Sequence, residues 1–284
     1  MTNPLIRPFI KFGLDKYKTR KITPSVRAVF LGDGVSTSII LYGIYERYEL
    51  DVLKRYVFPN LPQNSNCLDI GANIGNHTNT FSPYFKKIYA FEPNPVVQLL
   101  LRANTMGKNV DVIECGLSNQ KCMLPFTQNF SNLGASRISD RKTEGGQSIQ
   151  VERLDNVVAD RGIKDVSFIK IDVEGHEKQV LEGGLEFLKR EQPIIAMESL
   201  FGNDTTTGKQ ITQLLANIGY SHFYQPIPKS ALIRLLAPIP SKLKRFFLWP
   251  FPAHWRKALI LRKIETLEGI DADLALASCH ELPI

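Results

Sequence analysis

A doubly wound α/β fold, in which helices cover both faces of a mostly parallel sheet, is predicted by two features of the sequence. The first is an alternation of short apolar runs with helical stretches between about residues 65 and 220, which is the pattern of βαβ units. The second is a glycine-containing turn, LDIGANIGNHT at residues 68–78, that leads into a helix. Such turns lie at the carboxyl edge of parallel sheets. The predicted strands are 67–70, 88–91, 110–114, 167–173 and 193–198.

Three regions differ in their patterns. Residues 1–64 are predicted to form a basic and then helical entry region, residues 65–225 the α/β domain, and residues 226–284 a basic, apolar extension that completes or flanks the fold. The segment YGIYERYELDVLKRYVF in the entry region has an amphipathic face that we expect to pack on the main domain. The residues of this face are Tyr45, Tyr48, Leu50, Val52 and Leu53.

Two helices and a covering segment are predicted within the α/β domain. The stretch VVQLLLRANTM follows Asn94, which can cap a helix, and Pro95, which is tolerated at the first helical position. The stretch EKQVLEGGLEFLKR is predicted as one helix that Gly183 and Gly184 weaken. Residues 121–154 are rich in Ser, Gly and charge, which predicts a loop with short strands that covers a site.

The composition limits the class of protein. A chain of 284 residues with 43% apolar and 22% charged residues predicts one globular domain with extensions. The four cysteines lie far apart and form no CxxC pair, which favours a reducing cytosol. No apolar run has the length of a signal peptide core or of a spanning helix, so we expect a cytoplasmic protein.

The net charge of +7 is concentrated toward the carboxyl end of the chain. Residues 205–264 contain ten Lys and Arg residues and no Asp or Glu, and they include the aromatic run FFLWPFPAHW. This combination suits peripheral contact with an anionic membrane, and it equally suits a subdomain packed on the core or on a second subunit. If the membrane interpretation holds, the protein works at the inner membrane face.

The glycine turn predicts a nucleotide-like cofactor. Gly71, Asn73 and Gly75 bring bare backbone amides to the start of a helix, where a small ligand can approach closely. A dinucleotide fingerprint would require Gly at positions 73 and 76, and both positions are Asn. A structural turn that binds nothing is the alternative.

Two acids near the turn indicate which cofactor it holds. Asp69 would repel a pyrophosphate, but its carboxylate suits the ammonium group and the sulfonium of S-adenosylmethionine. Glu92 follows the second predicted strand, 21 residues after Gly71, where an acid reaches ribose hydroxyls. We therefore predict an S-adenosylmethionine site.

Several motifs of the chain extend this pattern: DIGANIGNHT at 69–78, FEPNP at 91–95, LGAS at 133–136, VERLDNV at 151–157 and FIKIDVEGHEKQVLEGG at 168–184. With the upstream GIYERYE at 43–49, they resemble the FkbM family of S-adenosylmethionine-dependent methyltransferases. The resemblance covers somewhat more than half of the chain. It implies a Rossmann-like class I methyltransferase sheet and O-methylation of a hydroxyl on a sugar, polyketide or similar metabolite. From it we predict a sugar of a glycan or glycolipid as acceptor.

The segment IDVEGHE after the fourth strand carries the predicted chemistry. Strand alternation would place Asp172 and Glu174 on one face, with His176 and Glu177 at the mouth of the site. We predict Asp172 as the residue nearest the reaction and as a cofactor contact, and His176 as the proton acceptor. His77 is the second candidate, and a purely structural role is open for each histidine.

A bound metal is not predicted. Asp172, Glu174 and Glu198 could hold Mg²⁺, but acids beside a sulfonium need no metal to explain them.

Two other functions are less well supported by the sequence. Methyltransferases that act on nucleic-acid amines resemble one another in an Asn-Pro-Pro-aromatic motif after the fourth strand, where this chain has Asp172-Val173-Glu174-Gly175. Acids at the mouth would also repel phosphates, so nucleic acid is not an expected partner. A non-catalytic cofactor-binding or scaffold protein is the other alternative, because fold does not determine function.

Overall fold

Twelve strands and eight α-helices are assigned in a computed structural model that describes residues 28–30, 32–127, 137–138, 147–200, 205–228, 259–268 and 270–284. The strands are β1 (Asn66–Ile70), β2 (Lys87–Phe91), β3 (Val110–Ile113), β4 (Gly116–Ser118), β5 (Cys122–Thr127), β6 (Arg137–Ile138), β7 (Gln147–Arg153), β8 (Val166–Ile171), β9 (Ile194–Leu200), β10 (His222–Pro228), β11 (Leu259–Ile264) and β12 (Asp271–Ser278). The helices are α1 (Gly34–Tyr42), α2 (Arg47–Val52), α3 (Asn76–Phe81), α4 (Pro95–Thr105), α5 (Leu154–Asp160), α6 (Glu177–Glu182), α7 (Leu185–Glu191) and α8 (Thr205–Ala216).

The main sheet has the order β11-β10-β12-β9-β8-β1-β2-β3. Strand β1 lies between β2 and β8 and is parallel to both, and β9 is parallel to β8. The chain winds outward from β1 through β2 to β3 and then returns to the other side of β1. A crevice opens at the carboxyl ends of the strands at such a reversal. The prediction of a doubly wound α/β sheet is confirmed.

The fourth predicted strand ends two residues earlier than expected. Strand β8 stops at Ile171, and the Asp172 backbone N–H donates to the Ile70 carbonyl as the chain leaves the sheet. Glu174 and Gly175 then both have positive φ, 53° and 93°. Asp172 and Glu174 do lie close together, but this turn brings them there, and the predicted strand alternation is wrong because it requires extended backbone.

The stretch EKQVLEGGLEFLKR forms two helices, so the prediction of one helix is wrong. Helix α6 ends at Glu182 and α7 begins at Leu185. A Cβ at Gly183 would lie 2.0 Å from the Ser118 carbonyl oxygen, and one at Gly184 would lie 2.7 Å from Leu154. The glycines thus let the helix pair approach β4 and α5 closely.

The entry region packs on the sheet as its amphipathic pattern predicts. Leu50, Val52 and Leu53 are buried in an apolar cluster with Phe81 and Phe168. A second attachment joins the backbone before α2 to α3, because the side-chain amide of Asn76 bonds to both the N–H and the C=O of Tyr45.

A second sheet, with the order β4-β7-β5-β6, is formed by three strands of the predicted covering segment together with β4, which precedes that segment. Phe126, Ile149 and Val151 form its buried apolar cluster, with Ile138 packed against it. The motif LGAS at residues 133–136 lies outside the described residues.

The last part of the chain contributes three strands to the main sheet. Strand β12 lies antiparallel between β9 and β10, and β11 pairs with the outer side of β10. The predicted boundary after residue 225 falls inside β10. The run FFLWPFPAHW lies outside the described residues. None of the described helices has both the length and the apolar character that crossing a membrane requires.

Candidate active site

The glycine turn is built by backbone contacts between three strands. The N–H groups of Gly71 and Ala72 both donate to the Phe91 carbonyl at the end of β2. Gly71 has a φ of 81°, and a Cβ there would lie 1.8 Å from the Asp172 carbonyl oxygen after β8. A side chain at position 71 would therefore collide with the backbone of Asp172. Gly75, with a φ of 92°, precedes α3.

Asp69 lies fully buried in β1, beneath the turn. Its Oδ2 accepts a hydrogen bond from the Thr78 hydroxyl at 2.5 Å, while Oδ1 has no partner among the described residues. A buried carboxylate oxygen without a partner fits a ligand that brings a donor or a positive charge. Asp69 is not among the described residues that line the cleft itself.

Glu92 is held by backbone N–H groups on both sides of the crevice. Its Oε2 accepts from Asn73 N–H in the turn at 3.0 Å, and its Oε1 accepts from Asn94 N–H at 2.8 Å. Burial raises the pKa of Glu92 to about 7, although the two backbone donors act in the opposite direction. The carboxylate therefore connects the turn after β1 to the start of α4.

Lys170 and Asp172 form an ion pair at the end of β8. The Lys170 Nζ lies 2.7 Å from Asp172 Oδ2, and the lysine side chain is only 9% exposed. Burial acts to raise the pKa of Asp172, but the ammonium charge and a hydrogen bond with Glu198 outweigh it and hold that pKa below its ordinary value. Burial and the negative charge of Asp172 raise the pKa of Glu198 to about 9. The pair thus carries one proton near neutral pH.

The carboxyl groups of Asp172, Glu174 and Glu198 lie close together, with one oxygen of each within 4.8 Å of the others. This spacing is compatible with a divalent cation. The proton shared between Asp172 and Glu198 gives a second way to relieve the repulsion. The absence of a metal stays a prediction.

The two candidate histidines lie against different elements. His176 precedes α6, lines the cleft, and its Nε2 lies 2.9 Å from the Ser118 hydroxyl of β4. His77, in the first turn of α3, has its Nε2 3.2 Å from Glu46 Oε2. Which of the two histidines is the proton acceptor stays a prediction.

A cleft of about 710 Å³, including its open mouth, lies along the carboxyl ends of β1, β2 and β8. Its polar wall contains five predicted site residues, Asn73, Glu92, Asp172, Glu174 and His176, and Gly71 also lines the cleft. The apolar wall comes from the second sheet, and its residues are Leu117, Phe126, Ile138 and Ile149. An apolar wall with a few convergent polar groups is typical of cofactor sites.

Some site residues were not predicted from the sequence. Lys170 is a charged residue inside an apolar strand run, and this pattern alone indicates a paired buried charge. No pattern in the sequence indicated that Glu46 lies near the site, because its partner His77 is 31 residues away. The residues of the apolar wall were not predicted, because they lie on strands whose pairing no local pattern in the sequence specifies.

The profile of the methyltransferase FkbM domain matches residues 69–221, just over half of the chain. The chain belongs to the FkbM methyltransferase family. This assignment confirms the predicted resemblance and the predicted cofactor, S-adenosylmethionine. The residues that hold the cofactor in this FkbM-family protein stay predictions, and the buried, unpartnered oxygen of Asp69 fits its ammonium group or sulfonium.

Three relatives illustrate the range of the family. The methyltransferase sdnD of Sordaria araneosa is 33% identical over 169 residues, 45% of this chain and 63% of that protein. The hexuronic acid methyltransferase AglP of Haloferax volcanii is 30% identical over 172 residues, 60% of this chain and 69% of that protein. The 31-O-demethyl-FK506 methyltransferase FkbM of Streptomyces tacrolimicus is 30% identical over 155 residues, 40% of this chain and 57% of that protein. This chain thus covers less than two thirds of the length of two of these relatives, sdnD and the Streptomyces tacrolimicus protein.

Proposed function

We propose that this protein is an S-adenosylmethionine-dependent O-methyltransferase that transfers a methyl group to a hydroxyl of a sugar in a glycan or glycolipid. One observation carries the proposal: the glycine turn packs directly on the backbone of Asp172, at the edge where Glu92 also lies. Cofactor-holding and reactive groups would then share one crevice. Bound S-adenosylmethionine supplies a methyl group on a positively charged sulfur.

Different residues in and beneath the cleft suit different parts of the cofactor. Glu92, held by two backbone donors, has lone pairs left for ribose hydroxyls. The apolar wall of Leu117, Phe126 and Ile149 suits an adenine ring. Asp69 and Asp172 provide negative charge for the sulfonium end.

The acceptor class is supported by the names of two relatives and by charge. AglP of Haloferax volcanii is a hexuronic acid methyltransferase, and the Streptomyces tacrolimicus relative is a 31-O-demethyl-FK506 methyltransferase. Nucleic acid is not proposed as a substrate, because the chain has Asp172-Val173-Glu174-Gly175 where methyltransferases that act on nucleic-acid amines have an Asn-Pro-Pro-aromatic motif.

We also propose a cytoplasmic protein in peripheral contact with an anionic inner membrane, based on the acid-free basic stretch at residues 205–264. Sedimentation with vesicles of phosphatidylglycerol and phosphatidylcholine tests this contact. We expect binding at low salt and release at high salt, since the attraction is electrostatic. A protein that stays in the supernatant at low salt would rule the contact out.

Calorimetric titration with S-adenosylhomocysteine, followed by transfer of labelled methyl from S-adenosylmethionine to a panel of methyl hexosides and hexuronides, tests the proposal. We expect micromolar binding and transfer to at least one glycoside. Binding without transfer to any acceptor would favour the non-catalytic alternative. A failure to bind would remove the cofactor site from the glycine turn.

A further inference from the structure

We propose that Glu46 is a positioning residue for His77, and that His77 is the group that takes the proton of the acceptor hydroxyl. This inference rests on the proposed O-methylation. It selects one of two candidate histidines and adds a residue from the entry region to the site. The evidence comes from a contact, a backbone conformation, the surrounding charges and the position of His176.

The contact joins two side chains that are largely removed from water. The Nε2 of His77 lies 3.2 Å from Glu46 Oε2, and the side chains are 11% and 16% exposed. A carboxylate this close to the ring favours the tautomer with the proton on Nε2, the nitrogen that faces it, and Nδ1 would then be the unprotonated nitrogen. A histidine oriented by a carboxylate in this way is a recurrent form of general base.

The backbone is strained at Glu46, the residue that makes this contact. Its φ and ψ are 51° and 45°, a left-handed conformation that costs a non-glycine residue about 1–2 kcal/mol. The neighbouring Tyr45 is fixed by two hydrogen bonds to Asn76, the residue before His77. Two adjacent pairs of residues are thus joined across 31 positions of sequence. Strain that the surroundings maintain is characteristic of functional positions.

Two acidic side chains lie around His77. Glu46 faces it from the entry region, and Asp172 faces it from the end of β8, since the two groups interact electrostatically. Lys170 interacts electrostatically with Asp172, Asp69 and Glu46. Of these groups, only Lys170 is a competing positive charge, and it is paired with Asp172 at 2.7 Å.

Asp172 and His176 are less suited to the same role. Lys170 and Glu198 hold Asp172 as a stable carboxylate with a lowered pKa, which makes it a weak base. His176 lies on the wall beside β4, where its Nε2 is engaged by the Ser118 hydroxyl. His176 therefore lies on the side of the cleft that we propose holds the adenine ring.

The step balances without a further reactant. The acceptor O–H bond breaks, and its proton passes to Nδ1 of His77. The oxygen forms a bond to the methyl carbon as the carbon–sulfur bond breaks, and sulfur keeps the electron pair. The products are a methyl ether, S-adenosylhomocysteine and a protonated His77 beside Glu46.

Nitrogen NMR of the full chain labelled with ¹⁵N-histidine tests the dyad without knowledge of the acceptor. The chain has five histidines, and His77→Gln identifies the signals of His77. In the neutral ring we expect Nε2 to carry the proton, and we expect Glu46→Gln to weaken that preference. Asp51→Asn, which removes an exposed carboxylate from the same segment, is the matched control and should change nothing. A proton on Nδ1, or His77 signals unchanged by Glu46→Gln, would refute the dyad.

Turnover with the glycoside identified by the panel tests the chemical role. General-base catalysis typically contributes 10²–10⁴-fold, so we expect kcat to fall about 100-fold or more in His77→Gln and about tenfold in Glu46→Gln. Affinity for S-adenosylhomocysteine and KM should change less than about twofold. A kcat of His77→Gln within about threefold of the wild type would overturn the proposal. Failure of the wild type to bind S-adenosylhomocysteine would instead overturn the proposed function, and the NMR result would still decide the dyad.

Discussion

Asp172 is ionised and its neighbour Glu198 is neutral near pH 7, although both are carboxylic acids at the same edge. The difference arises because Lys170 lies 2.7 Å from Asp172, whereas Glu198 faces the charges of Asp172 and Glu174. The pair thus presents one fixed negative charge instead of two. Lys170 offsets that charge, and the neutral Glu198 removes the repulsion between the two acids.

Glu92 should make cofactor affinity depend on pH. With a pKa raised to about 7 by burial, it is ionised above that pH and becomes protonated as the pH falls through 7. A protonated carboxyl accepts ribose hydroxyls less well, so we expect the Kd for S-adenosylhomocysteine to rise by up to about tenfold between pH 8 and pH 6. Calorimetry across this range measures the change.

Glu92→Gln provides the control for that experiment. The amide presents an NH₂ group to one of the two backbone N–H donors, so one charge-assisted hydrogen bond is lost, worth about 1.5–3 kcal/mol. We expect affinity about 10- to 100-fold weaker at pH 8, with the pH dependence around 7 removed. A variant that keeps the wild-type pH profile would show that another group titrates.

Gly71→Ala should prevent the turn from forming. The new methyl group would lie 1.8 Å from the Asp172 carbonyl oxygen, in addition to the cost of a positive φ. Gly107→Ala is a matched control, because Gly107 has a φ of 76° and open space around it. We expect about 1–2 kcal/mol lower stability for Gly107→Ala and a considerably larger loss for Gly71→Ala, measured by urea unfolding. Equal losses would mean that the contact with Asp172 is not tight.

At the scale of elements, the position of helices α6 and α7 follows from a pair of glycines. Intrinsic propensity would predict that Ala is better than Gly in a helical stretch by up to about 1 kcal/mol. Packing reverses this expectation, because the backbone at Gly183 lies directly against β4. The same strand supplies Leu117 to the apolar wall of the cleft.

Gly183→Ala should therefore destabilise the protein although it favours helix. The added Cβ would lie 2.0 Å from the Ser118 carbonyl oxygen, so α6 or β4 must move. Overpacking of this kind costs about 1–3 kcal/mol, and we expect a loss in that range by urea unfolding, with weaker binding of S-adenosylhomocysteine. A gain in stability would show that propensity outweighs packing at this position.

At the scale of the whole molecule, the last strand completes the middle of the sheet. Strand β12 lies between β9 and β10, and Ala275, Leu276 and Ala277 are completely buried there. Without it, β9 and β10 would lose their common partner and β9 would have an open edge. The carboxyl-terminal region is therefore part of the core of the α/β sheet.

Truncation after Gln225 should abolish cooperative folding. It removes β11, β12 and the last residues of β10, together with their buried apolar side chains. Truncation after Leu282 is the control, because it removes only Pro283 and Ile284, which are exposed. We expect a sharp thermal transition by circular dichroism for the longer protein and none for the shorter one. A cooperative transition in the shorter protein would mean that residues 1–225 fold independently.

The strand-turn-helix at residues 66–81, the acid at Glu92 and the cap at Asn94 were predictable, because each depends on contacts within a few residues or on a regular βαβ spacing. The family and the cofactor followed from the same local motifs. The end of β8 at Ile171 was not predictable in this way, since the turn that follows is determined by a hydrogen bond to Ile70 in a neighbouring strand.

The sequence by itself determined the α/β class, the glycine turn, its acids and the family, because these properties are carried by residue types at fixed short spacings. Only the tertiary structure decided that Glu46 contacts His77 and that β12 enters the middle of the sheet. It also decided that Asp172, paired with Lys170, is ionised while the adjacent Glu198 is protonated. These arrangements join residues that are distant along the chain or set them in a shared electrostatic environment. They form when the chain buries its apolar surface, and the charges then respond to the neighbours that burial gives them.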